Sequence, residues 1–225
     1  MPATKKTISQ VFDEFLADQK ARLSPRTFSN YQSIIDLFRH YLESYWPGHD
    51  QNEYKRITSQ GGTFCDTFGP EEILGGYFEF LGYFMPNKVM GGKELMQASG
   101  TVTKKLAKWL AEKGYAEETE LAQSRAKEAA KQLPAAQDVL RLLEVFVDIN
   151  PAGPSKNEIE DHFTITKIES GKLWLEPLVA DEGVIGPIPV PVQVTKKCGK
   201  MWDISGVVVK TKEGWRFREI WNVSP

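Results

Sequence analysis

The hydrophobic pattern of this chain changes its period once, at the segment Pro151-Ala152-Gly153-Pro154. Before that segment, apolar residues recur at the spacing of one face of an α-helix. After it, apolar and polar residues alternate over short stretches, as in strands with one buried face. The pattern predicts a two-domain α+β protein, with an all-α helical bundle over residues 1–150 and a small β-barrel, SH3-like or OB-like, over residues 155–225.

The first two helices carry clear start signals. Thr7 is placed to cap a helix, and Ser24-Pro25 puts a capping serine before a proline at the first helical position. The second helix is predicted to end at Trp46-Pro47-Gly48. Residues 47–69 are rich in glycine, asparagine and glutamine, which predicts a loop.

The later helices are marked less sharply. Pro70 is predicted to open a third helix, and residues 85–100 have no clear assignment. Thr101 or Thr103 is predicted to cap a helix that ends at Gly114. Residues 116–133 are rich in alanine, glutamate, glutamine and lysine, which predicts an exposed helix or a spacer. Pro134 is predicted to interrupt it, before a last amphipathic helix that reaches Val147.

The second domain is predicted to contain four or five short strands. The predicted strands lie near residues 163–168, 172–179, 188–194, 201–210 and 215–223. Prolines at 189 and 191 restrict the third of these to a sheet edge, because proline has no N–H to donate to a ladder.

Charge and composition exclude several classes of protein. The net charge is −2, from 28 basic and 30 acidic residues. Proteins that bind nucleic acid usually carry a basic excess, so a DNA surface here has to be a local patch. The amino terminus does not resemble a signal peptide, and no stretch reaches the roughly 18 apolar residues of a membrane span. A cytoplasmic protein with no membrane partner is expected.

The sequence does not predict a catalytic centre, a metal site or a cofactor. Cys65 and Cys198 are too far apart for a metal-binding pair, and no histidine lies near either of them in sequence. The acidic cluster around His162 lacks regular ligand spacing. We therefore expect that the protein is not an enzyme.

The helical part resembles the SAM-like core-binding domain of tyrosine recombinases (phage integrases) over residues 5–118. A Phe-Leu pair ends the first helix, and a Leu-Ser-x-x-Thr-x-x-x-Tyr entry to the second follows. The matching residues are Phe15-Leu16, Leu23-Ser24, Thr27 and Tyr31. The closing helix of the family pattern is matched by Thr103, Leu106, Trp109-Leu110 and Lys113-Gly114.

This resemblance implies a domain that clamps duplex DNA through phosphate contacts. By position, the implied DNA-binding residues are Lys20, Arg22, Ser24, Arg26, Thr27, Lys104, Lys105 and Lys108. The family's catalytic domain is absent, because none of His40, His49 and His162 is followed three residues later by arginine. DNA strand cleavage is therefore not expected.

The second domain interleaves aromatic and basic residues. Arg216 and Arg218 share one strand face, opposite Trp215 and Phe217, and are predicted to bind a ligand at the barrel surface. Stacking on single-stranded nucleic acid fits this pattern, and so does an SH3-like barrel that binds proline-rich peptide. A third interpretation puts the rings in the core and leaves the arginines in solvent.

Two functions follow from these patterns. The first is a non-catalytic DNA-binding accessory protein, and the alternative is a protein-interaction scaffold. Charge clustering discriminates between them. DNA binding requires the cations of the helical part to converge on one face, and interleaved carboxylates would favour the scaffold.

Overall fold

The computed structural model describes residues 6–45, 51–153 and 155–225. Contacts divide the chain into two compact units, Met1–Lys131 and Gln132–Pro225. The helices of the first unit are α1 (Ile8–Lys20), α2 (Pro25–Ser44), α3 (Gln51–Ser59), α4 (Phe64–Thr67), α5 (Glu71–Gly75), α6 (Tyr77–Glu79), a π-helix (Phe80–Phe84), α7 (Met85–Lys88) and α8 (Lys93–Glu112). Helix α9 (Glu120–Ile149) begins in the first unit and ends in the second.

The predicted start signals of α1 and α2 are confirmed. Thr7 and Gln10 form a capping box, in which each side chain accepts the other residue's backbone N–H. Ser24 caps α2 and Pro25 is its first residue. These caps satisfy N–H groups that have no partner within a helix. The helix stop predicted at Trp46-Pro47-Gly48 lies outside the described residues.

The loop predicted over residues 47–69 is wrong where the structure describes it, because α3 and α4 lie there. The N-terminus of α4 is held by Glu43, whose carboxylate accepts the backbone N–H groups of Phe64 and Cys65 at 2.7 Å each. Polar composition predicted a loop, but a carboxylate about 20 positions away in sequence satisfies this helix end.

Helix α8 begins at Lys93, so the starts predicted at Thr101 and Thr103 are wrong. Both threonines lie inside the helix, where the Thr103 hydroxyl donates to the Ser99 carbonyl at 2.7 Å. The predicted end at Gly114 is confirmed. Gly114 has a φ of +72°, and the Tyr115 N–H returns to the Leu110 carbonyl. This is the Schellman arrangement, which favours glycine because of its positive φ.

Helix α9 continues through Pro134, so the predicted interruption is wrong. Its alanine-rich first part is not a free spacer, because Ala122, Ala126 and Ala129 are buried. Gly100 of α8 faces this stripe so closely that a Cβ there would lie 2.6 Å from the Ala126 carbonyl oxygen. Small residues on both helices therefore allow their backbones to meet.

The core of the first unit is built from aromatic rings. Phe38 stacks on Phe80 at 4.5 Å between ring centroids and meets Tyr77 edge-on at 5.4 Å. Phe15 packs edge-on against Trp109 at 5.4 Å. Such pairs add to the large apolar area that each buried ring removes from water.

The second unit contains an antiparallel five-stranded sheet in the order β3-β2-β1-β4-β5. The strands are β1 (Glu158–Glu169), β2 (Lys172–Pro177), β3 (Ile185–Pro189), β4 (Asp203–Thr211) and β5 (Gly214–Ser224). Helices followed by an antiparallel sheet thus give the chain the predicted α+β class.

The predicted barrel is wrong, because within residues 155–225 no backbone ladder joins the edge strands β3 and β5. Pro187 and Pro189 in β3 have no N–H to donate, which favours an open edge there. The edge position, which was predicted from Pro189 and Pro191, is confirmed. The predicted strand ends early, since Val192–Thr195 forms a short helix, α10.

The second half of α9 packs on the sheet. Ala136, Val139 and Leu143 belong to the same buried cluster as Phe163 and Ile204. The two units consequently divide between Lys131 and Gln132, whereas the sequence places the domain boundary after residue 150. In the described part of the chain, no helix has the length and hydropathy needed to cross a membrane.

Candidate functional site

The cations predicted at the start of α2 are engaged by the protein itself. Arg26 donates from Nη2 to both carboxylate oxygens of Glu94, at 3.0 and 3.1 Å. Arg22 donates to the Asp18 carbonyl, and the Lys20 ammonium lies 6.0 Å from the centre of the Phe28 ring. The Arg26 charge is therefore compensated by a carboxylate from another helix.

The predicted hydroxyl ligands also have partners. Ser24 Oγ accepts the backbone N–H of Thr27 at 3.3 Å and lies 2.9 Å from Thr27 Oγ1. Ser24 acts first as a helix cap, and its role in DNA binding stays a prediction.

The lysines of α8 differ from one another. Lys108 lies 3.5 Å from Glu112, one helical turn further on. Lys104 is exposed and Lys105 half-buried, and the described residues supply no ion-pair partner to either of them. Of the predicted cations on this helix, Lys104 and Lys105 are thus the two that form no ion pair within the described residues.

Carboxylates are concentrated where α1 meets the end of α8. Glu14 accepts hydrogen bonds from Lys6 at 2.6 Å, Tyr115 at 2.7 Å and Lys113 at 3.0 Å. Hydrogen bonds from Lys6, Tyr115 and Lys113 lower the pKa of Glu14 to about 2. The indole N–H of Trp109 donates to Asp18 at 2.9 Å and, with Lys113, lowers the pKa of that carboxyl. Both groups are thus anionic at neutral pH, and the cations that they contact, Lys6 and Lys113, are not among the predicted DNA-binding residues.

A shallow groove between α2 and α8, the α2–α8 groove, encloses about 210 Å³. Its lining residues are Thr27, Asn30, Tyr31, Glu94, Gln97, Ala98, Thr101 and Val102. Hydroxyl and amide groups in such a groove can donate to phosphate or to polar groups of a protein. The groove itself contains an acid, Glu94, and no cation.

No protein-family model, curated protein or solved structure matches this chain. The resemblance of residues 5–118 to integrase core-binding domains therefore remains a prediction from sequence. The function has to follow from the chemistry of the chain's own surfaces.

The arginines predicted at the surface of the second unit are also paired. Arg216 donates to Glu213 at 2.6 Å, and Arg218 donates to Glu158 and to the Gly153 carbonyl. Phe217 is buried and Trp215 packs against the same core, so the predicted division of faces along β5 is confirmed. Neither arginine is left as an isolated positive charge.

A groove between the end of α9 and β5, the α9–β5 groove, encloses about 560 Å³. Its apolar lining is Val145, Val147, Ile220 and Trp221, and its charged lining is Arg141, Glu144, Asp148, Arg218 and Glu219. Val145 is 53% exposed and Trp221 is 47% exposed. This groove has no signature in the sequence, because Val145 and Trp221 come from distant helical and strand segments.

Neither thiol has the environment of a nucleophile. Burial, followed by the nearby Glu43 carboxylate, raises the pKa of Cys65 well above its ordinary range. Burial raises the pKa of Cys198 to about 11. Reactive cysteines have lowered values. Across residues 6–45, 51–153 and 155–225, no three potential metal ligands lie together.

Proposed function

We propose that this chain is a non-catalytic protein-binding protein and that its second unit carries the docking surface. The observation that supports this is the α9–β5 groove, in which Val145 and Trp221 expose apolar surface among charged side chains. Protein interfaces likewise combine apolar and polar surface. Tryptophan is also among the residues most often found at binding hot spots.

Charge compensation disfavours DNA as the main partner. Every neutralised phosphate requires a cation that is available to it. Arg26, Lys108 and Arg218 each already contact a carboxylate of this chain. Binding DNA through them would leave Glu94, Glu112 and Glu158 facing the phosphates, which costs part of the attraction gained. Two of the six predicted cations of the helical part, Arg26 and Lys108, are compensated in this way, which supports a scaffold over a DNA-binding protein.

Cross-linking from the groove tests the proposal. We expect that a Trp221→benzoylphenylalanine variant, irradiated in the source cells, forms a covalent adduct with one protein. Adding Val145→Asp should lower the adduct yield about tenfold, because an unpaired carboxylate at an apolar contact costs more than about 1.4 kcal/mol. Mass spectrometry of the adduct identifies the contact.

A matched position supplies the control for this experiment. Met90 is fully exposed in the first unit. The Met90→benzoylphenylalanine variant should not form the same adduct. An identical adduct from both positions, or a yield indifferent to Val145→Asp, would contradict docking in the groove.

DNA binding is the second candidate, and the charges of Lys104 and Lys105 favour it. Lys104 and Lys105 lie one helical turn beyond Thr101, which lines the α2–α8 groove. A patch of this size neutralises about two phosphates, so the slope of log K against log salt should be near −2. Such an interaction is weak, and its dependence on ionic strength is modest.

A gel shift with random duplex DNA distinguishes the two candidates. The protein-binding proposal expects no shift even at low salt. If DNA is a ligand, a shift appears, and Lys104→Ala with Lys105→Ala should abolish its salt dependence. Arg26→Ala combined with Glu94→Ala is the matched control and should leave the shift almost unchanged, because it removes an ion pair whose net charge is zero.

A further inference from the structure

The loop between β2 and β3, residues 178–184, exposes apolar side chains although its backbone is fixed. Leu178 is 74% exposed and Val179 is 84% exposed. Val184, at the other end of the loop, is exposed as well. Scattered apolar residues are common on protein surfaces, but adjacent ones on a structured loop are typical of contact sites.

Asp161, buried in β1, holds this loop. Its Oδ2 accepts the backbone N–H groups of Val179 at 2.9 Å and Ala180 at 2.8 Å. The Leu178 N–H donates to the His162 carbonyl at 2.9 Å. Three successive residues are thus tied to one strand. A loop already held in place loses little conformational entropy when it binds, so its affinity is not reduced by ordering.

The segment that contains the loop is acidic. Asp181 and Glu182 follow the apolar pair and are exposed. Between Lys172 and Lys196 the sequence contains no lysine or arginine. A partner surface that accepts the loop therefore has to supply positive charge around its rim, since like charges would repel it.

We propose that Leu178 and Val179 insert into an apolar pocket of a partner protein whose rim carries lysine or arginine. The inference rests on the proposed protein-binding function, but it concerns a different surface from the α9–β5 groove. Asp181 and Glu182 pair with the basic rim and set the orientation of the loop.

The charges of this chain argue against two other occupants. An anionic lipid surface would repel Asp181 and Glu182. A second copy of this chain could offer its own α9–β5 groove, but that groove carries the carboxylates Glu144, Asp148 and Glu219. Of its two arginines, Arg218 is already paired with Glu158. A different protein is thus the occupant that the charges favour.

The test uses the full chain with Leu178→benzoylphenylalanine, irradiated in the source cells. We expect an adduct with one other protein, and the cross-linked peptide should contain lysine or arginine beside apolar residues. Asp181→Lys with Glu182→Lys should reduce its yield at least tenfold. Both positions are exposed, and an unchanged circular dichroism spectrum confirms that this variant folds.

Several results would overturn the inference. One is the absence of any adduct, or an adduct with a second copy of this chain. Another is an adduct yield that the charge reversal does not change. A third is a similar adduct from Val192→benzoylphenylalanine, which places the cross-linker at another exposed position of the same unit. Binding to vesicles of phosphatidylcholine and phosphatidylserine would overturn it too. If Trp221 still cross-links a partner, the inference alone fails; if neither position does, the proposed function fails with it.

Discussion

Gly100→Val is expected to destabilise the first unit by about 3 kcal/mol or more, through steric overlap between two helices. A Cβ at this position would overlap the backbone nitrogen of Ala130 and lie 2.6 Å from the Ala126 carbonyl oxygen. Backbone atoms cannot move away by changing rotamer. The gain in helix propensity on replacing glycine is at most about 1 kcal/mol, so the overlap outweighs it.

Hydrogen exchange followed by mass spectrometry measures this effect locally. Amides of residues 120–131 should lose protection in the Gly100→Val variant, because α9 can no longer pack on α8. Thr101→Val is the matched control, since it places valine at the neighbouring, exposed position of the same helix. Equal protection in the two variants would show that the helices do not meet at Gly100.

Asp161→Asn is expected to lower the stability of the second unit by about 3 kcal/mol. The carboxylate accepts backbone N–H groups from His162, Val179 and Ala180. Hydrogen bonds to a charged acceptor contribute about 1.5–3 kcal/mol each, and an asparagine would point its NH₂ group at one set of these donors. Urea unfolding followed by tryptophan fluorescence measures the loss. Asp181→Asn, exposed in the same loop, should change stability by less than about 0.5 kcal/mol.

The same carboxylate predicts the direction of a pH dependence. Burial tends to raise the pKa of Asp161, but N–H donors from Ala180, Val179, His162 and Leu178 outweigh burial and hold it below its ordinary value. The stabilisation is therefore complete above the unfolded pKa of about 3.9 and is lost as the pH falls through the folded value. The difference in stability between wild type and Asp161→Asn should shrink over that acidic range. A constant difference down to the acid transition would contradict the assigned role.

Local signals in the sequence predicted local structure well. Thr7, Ser24-Pro25 and Gly114 are caps whose effect depends on backbone groups within one helical turn, and the structure has all three. The alternation of apolar and polar residues likewise predicted β5, where Phe217 is buried beside Arg216 and Arg218. Such features need no information about distant parts of the chain.

Features that depend on distant residues could not be predicted. The end of α4 is satisfied by Glu43, and α9 remains helical through Pro134 with buried residues on both sides of it. Closure of the sheet depends on whether β3 and β5 pair, and the alternation within single strands carries no information about that. The α+β class could be predicted because it depends on local alternation and periodicity. The barrel could not, because it depends on pairing between distant strands.

The same limit applies to the binding surfaces. Arg26 was predicted to be available for phosphate, but Glu94, its partner in the structure, lies 68 residues away in sequence. The 178–184 loop carried a misleading signal, because Leu178 and Val179 were included in the strand predicted over residues 172–179, whereas β2 ends at Pro177. The groove at Val145 and Trp221 carried none, since it exists only where a helix and a strand meet.

Hydrogen exchange of the full chain, alone and with the protein captured from position 221, tests most directly which unit carries the function. We predict that new protection is confined to the second unit, over residues 145–149 and 218–221. Protection confined to residues 101–108 of α8, with none in the second unit, would contradict the proposed function.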